Sequence, residues 1–61
     1  MTPASTIRQY LKARNMQPKQ LAREAWIGYR ALMYMIKGQY KGPALRRVLE
    51  HIKFMEDNYD S

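Results

Sequence analysis

The sequence has no cysteine and only one histidine, His51. Without thiols there is no disulfide framework, and one imidazole cannot assemble a metal site alone. A domain of 61 residues buries only about 60% of the surface its unfolded chain exposes. Close helix packing or self-association must therefore supply the stability that staples supply elsewhere. Long apolar runs are also missing. The longest, Ala31 to Ile36, has six residues, against the roughly 20 a membrane-spanning helix needs. The start of the chain lacks the charged segment and apolar core of a signal peptide. These absences lead us to expect a soluble protein of a reducing, cytoplasmic compartment.

Carboxylates are scarce as well. Eleven Lys and Arg stand against five Asp and Glu, a formal charge of +6. The imbalance is uneven. The first 55 residues hold all eleven cations and only Glu24 and Glu50, whereas Glu56, Asp57 and Asp60 make the last six residues acidic. A small domain with such a basic body attracts polyanions, nucleic acid first and anionic membrane second. Catalytic constellations are absent. There is no cysteine nucleophile, no second histidine and no glycine cluster for phosphate. The only close acidic pair, Glu56 and Asp57, points in two directions on a helix. We expect no enzyme, no cofactor, no metal and no small-molecule ligand.

The three prolines and three glycines punctuate four segments of helical spacing. In the first, Thr6 to Asn15, Ile7, Tyr10, Leu11 and Arg14 share a face, and Arg8, Gln9 and Lys12 point away. Ser5 is the candidate N-cap, and Asn15 suits a left-handed stop. The second starts at Pro18 after Gln17 and ends near Ala25, with Leu21, Ala22 and Ala25 inward. Trp26, Ile27 and Gly28 connect it to a third helix, Tyr29 to Lys37, with Leu32, Met35 and Ile36 inward and Gly38 as its stop. Pro43 opens a fourth, whose stripe is Leu45, Val48, Leu49, Ile52 and Met55. No stretch alternates with the period of a strand. The expected fold is all-α, one domain over 1–61, a bundle of four helices with room for a short fifth. Residues 5–56 form the ordered bundle, and 57–61 an acidic, frayed tail.

Two short helices joined by three residues, with a small inward residue on the first, describe a helix-turn-helix. The run from Gln17 to Gly38 resembles the helix-turn-helix of Cro and lambda-repressor-like proteins. Leu21, Ala22, Ala25, Ile27, Ala31, Leu32, Met35 and Gly38 fall in that pattern's register. Arg14-Asn15-Met16 is similar to the segment preceding the family's motif, and Gly42-Pro43-Ala44-Leu45 to the start of its fourth helix. The likeness spans about residues 6–52. Three positions depart from the pattern. Trp26 stands where the family has a glycine of positive φ. There it either costs roughly 1 kcal/mol or more or the turn differs. Gly28 replaces a capping serine or threonine, and Pro18, which offers no N–H, sits near the place early in the second helix where a glutamine commonly helps hold phosphate.

With Leu32, Met35 and Ile36 inward, the third helix turns Tyr29, Arg30, Met33, Tyr34 and Lys37 outward. Arg30 carries a fork that matches the O6 and N7 of guanine, and Met33 offers apolar contact to a thymine methyl. The resemblance likewise assigns base contacts to Tyr29, Arg30, Met33 and Tyr34. Gln17, Lys19, Gln20, Lys37, Tyr40 and Lys41 are candidate phosphate contacts at the groove edges. Ile52, Phe54, Met55 and Tyr59 are candidates for a homodimer surface. We expect Trp26 to pack at the turn, Arg46, Arg47 and Lys53 to form a solvated face of the last helix, and His51, beside Glu50, to be an ordinary surface histidine. The resemblance implies a phage or prophage repressor in a bacterial host, binding a palindromic operator in double-stranded DNA as a dimer. An excisionase-like or architectural factor, or an antirepressor-type interaction module on the same fold, stays open. The glycine and proline punctuation argues against a membrane-surface peptide.

Overall fold

A computed structural model of the chain describes residues 2–58. Among these residues there are four helices and no strand: α1 Pro3–Arg14, α2 Pro18–Glu24, α3 Tyr29–Lys37 and α4 Ala44–Asp57. The molecule is an all-α bundle in which α1 packs against both α3 and α4, and α2 packs against α3.

α1 begins earlier than expected. Thr2 is extended and accepts the Ser5 N–H on its Oγ1 at 3.1 Å. Pro3 then occupies the first helical position, where its missing N–H costs nothing. Ser5 is therefore inside the helix and is not its cap. The extra turn buries Ala4 beside Gly38, where any side chain on the glycine would meet the Ala4 Cβ at 3.8 Å. α4 starts one residue later than expected: Pro43 is its N-cap, already at helical φ and ψ.

Three of the helices end in the same way. Asn15, Trp26 and Gly38 are left-handed, with φ of 50°, 59° and 78°. Each donates its N–H to the carbonyl three residues back. The next residue reaches five back: Met16 to Leu11 at 2.9 Å, Ile27 to Ala22 at 3.0 Å and Gln39 to Tyr34 at 3.0 Å. This is the Schellman closure, which satisfies carbonyls that a helix end leaves open. Met16 and Ile27, the residues after the first two turning points, pack against the core. The turn at Trp26 thus keeps the geometry that a glycine would adopt.

The core is built from Ile7, Tyr10 and Leu11 of α1, Leu21 and Ala22 of α2, Ala25, Leu32 and Met35 around α3, and Val48 and Ile52 of α4. The inward residues expected for α2 and α3 are in place, with Ile36 half-buried at the margin. Leu45, Leu49 and Met55 pack against this core from the flank of α4. Two polar ties bind the elements from outside. Arg8, expected to point away, donates from Nη1 to the Ile36 carbonyl at 2.9 Å. This places a cation at the negative C-terminal end of α3. His51 Nε2 lies 3.3 Å from Glu24 Oε1, and both side chains are partly buried. His51 is therefore a link between α4 and α2 and not a solvated surface histidine.

Candidate nucleic-acid interface

Each α-helical residue advances roughly 100° around the axis. On α3 this puts Tyr29, Met33, Lys37, Arg30 and Tyr34 within an arc of about 140°. Leu32 and Met35, fully buried, lie on the other side. Tyr29, Arg30, Tyr34 and Lys37 are exposed and Met33 is half-buried. All five outward residues expected from the sequence therefore share one face. The Lys37 ammonium stands 6.0 Å from the Tyr34 ring centroid, at the outer limit of a cation–π contact. Gly28 makes no side-chain cap to α3, and no atom lies within 4 Å of where its Cβ would stand. Glycine is not sterically required there.

The electrostatics of this face follow from the sequence. Between Ala25 and Leu49 there are five cations and no carboxylate: Arg30 and Lys37 lie on this face, Lys41 follows it in the loop, and Arg46 and Arg47 belong to α4. The nearest acid in the chain before them, Glu24, is engaged by His51 and by Gln20, whose Nε2 donates to Glu24 Oε2 at 3.3 Å. Gln17 and Lys19 are exposed at the start of α2. Lys41 is exposed in the loop after α3, while Tyr40 is half-buried and packs on the core. The hydroxyl end of the Tyr40 ring occupies the space a side chain at Gly42 would need. A larger residue at position 42 would have to turn that ring aside.

The proposed dimer residues separate. Ile52 is 1% exposed and belongs to the core, so it cannot be a contact with a second copy. It lies on the apolar stripe of α4 and also among the candidate contacts, and burial decides for the core because that stripe faces α1. Met55 is half-buried against the same core. Phe54 is 62% exposed on the far side of α4. Tyr59 lies outside the described residues.

Trp26 departs from its expected place. Its indole is 86% exposed, so it does not pack at the turn. The Schellman geometry aims its side chain outward, while the following Ile27 turns inward. Arg47 is not merely solvated: its Nη1 approaches the Trp26 carbonyl at 3.5 Å. Arg46 pairs with Glu50 at 3.1 Å along α4, and Lys53 is exposed. The links from α4 to Glu24 and Trp26 carry no signal in sequence, since they depend on how α2 and α4 are juxtaposed. Compared with protein-family models, curated proteins and solved structures, the chain matches none.

Proposed function

We propose that the chain is a sequence-specific regulator that binds double-stranded DNA, a repressor of the Cro type acting in the cytoplasm of a bacterial host. In this reading α2 and α3 act as a helix-turn-helix. The observation that carries it is the outward arc of α3, where Tyr29, Arg30, Tyr34 and Lys37 are exposed on a helix held from behind by the core. The major groove is about 12 Å wide and admits one such helix. Arg30 reads a guanine, Met33 a thymine methyl, and Tyr29 and Tyr34 neighbouring base edges. Lys37, Lys41 and Tyr40 at one end, and Gln17, Lys19 and Gln20 at the other, hold phosphates and fix the register.

Nine residues of α3 extend about 13 Å, enough to follow roughly four base pairs. That is too little for high specificity, so two copies act on a palindrome with half-sites about one helical turn apart. An NMR titration with a duplex of about two helical turns tests the face. Amide shifts concentrated at Tyr29, Arg30, Met33, Tyr34 and Lys37 are expected, with little change at Gln9 and Lys12 on α1. Shifts confined to α1 or α4 would contradict the assignment.

A further inference from the structure

The outward arc of α3 is defined by what it lacks. From Ala25 to Gly38 there is no carboxylate and no side-chain amide. Asn and Gln read adenine with a bidentate pair, and Asp and Glu accept from the N4 amino group of cytosine. Neither reading is open to this face. Its charged members, Arg30 and Lys37, only donate, and the Arg30 fork matches the O6 and N7 of guanine. Tyr29 and Tyr34 end in hydroxyls that donate or accept, so they do not separate the O4 of thymine from the N4 of cytosine. What remains is apolar surface: the exposed rings of Tyr29 and Tyr34 and the half-buried Met33.

Arg30 and Met33 are three residues apart on α3, a spacing at which side chains are neighbours. Met33 follows Arg30 by about 4.5 Å along the axis, and successive base pairs are about 3.4 Å apart. The two side chains thus suit adjacent bases, one a guanine and one presenting a methyl group. We propose that this face recognises the C5 methyl of a pyrimidine beside a guanine, and that it takes 5-methylcytosine in place of thymine. The inference rests on the reading of α3 as the DNA-contacting helix and names what that helix distinguishes. Thymine and 5-methylcytosine carry the same methyl at the same place in the major groove. They differ in the group beside it, an O4 acceptor in one and an N4 donor in the other. A face without carboxylate or amide holds no group fixed to tell these apart. Binding therefore depends on cytosine methylation: a cytosine before guanine lacks the contact, and its methylated form supplies it.

The test selects bound duplexes from a random pool, prepared once with ordinary bases and once with every cytosine that precedes a guanine methylated at C5. The ordinary pool is expected to enrich a thymine next to a guanine, and the methylated pool to return 5-methylcytosine at that same position. In the enriched duplex, deoxyuridine in place of that thymine should weaken binding about fourfold, the effect of one buried methyl. Cytosine there should weaken it at least as much, and methylating that cytosine should recover the loss. Met33→Ala should bind the thymine and deoxyuridine duplexes alike while keeping the guanine preference. The deoxyuridine comparison needs no variant, so a folding defect in the Met33→Ala chain does not mask the result. An enriched sequence whose affinity is unmoved by deoxyuridine at every thymine overturns the proposal and leaves sequence reading by α3 standing. Unmethylated cytosine binding as well as thymine at that position overturns it too. No binding from either pool overturns the DNA reading and this inference together.

Discussion

Replacing Trp26 by glycine should stabilise the monomer, and replacing it by alanine should not. In a helix interior the order is the reverse, with glycine worse than alanine by about 0.5–1 kcal/mol. At a φ of 59° a Cβ crowds the following carbonyl oxygen, at a cost of about 1–2 kcal/mol. Alanine retains that cost and glycine removes it, less the larger entropy glycine has in the unfolded chain. The net expectation is that the Trp26→Gly variant is more stable than the Trp26→Ala variant by about 1 kcal/mol. For a domain of this size that shifts the melting temperature by roughly 4–8 °C. The indole contributes little to the comparison, because 86% of it is exposed. Circular dichroism melts of dilute protein, below the concentration at which the melting point depends on protein, give the difference directly. Asn15→Gly is the control: it stands in the same closure, but asparagine tolerates left-handed φ, so its gain should be smaller. An alanine variant that melts at or above the glycine variant would refute the left-handed turn and the strain assigned to it.

Three further outcomes follow from the same contacts. Tyr10 is buried with a hydroxyl that has no hydrogen-bond partner among the described residues, so Tyr10→Phe should be neutral or stabilising in a chemical denaturation series. Burial pushes the Tyr10 phenol above its ordinary 10.0, with Arg14 opposing and Glu24 and Glu56 adding to the rise. The folded state therefore holds this proton more tightly than the unfolded chain. The associated stability is present below pH 10.0 and is lost as pH rises through the folded value, and the phenylalanine variant should lack that alkaline component. Thr2→Ala removes the acceptor for the Ser5 N–H and should cost about 1 kcal/mol, with amide exchange speeding up first at the start of α1. Lys37→Ala should weaken DNA binding about equally for all sequences and reduce the salt slope by about 1.

Much of the fold is readable because punctuation and periodicity agree. Pro18 and Gly38 bound α2 and α3 where the inward residues also begin and end, and Asn15 is left-handed as its position implies. The start of α1 is ambiguous in sequence because Ser5 and Thr2 are both good caps. What decides between them is the burial of Ala4 against the end of α3, a tertiary fact. The outward face of α3 is legible, since a core of Leu32 and Met35 fixes the opposite arc. The α4 side is not. Ile52 reads equally as core or as contact until α1 is seen to cover it, and Trp26 reads as core by its chemistry alone. Its exposure follows from a left-handed turn that the sequence identifies only as a departure from glycine. The ties from Arg8 to Ile36 and from His51 to Glu24 join residues 28 and 27 positions apart, beyond any local pattern.

The central claim is that the outward arc of α3 reads DNA sequence. Selection of bound duplexes from a random pool tests it most directly, with Arg30→Ala carried in parallel and the selected duplexes titrated at two salt concentrations. One enriched palindromic sequence is predicted, with a guanine position that loses its preference in the variant, a relaxation of about 1–3 kcal/mol at that base. Steep salt dependence with no enriched sequence would contradict sequence reading and leave only phosphate contact, and no binding at all would contradict the DNA-binding account itself.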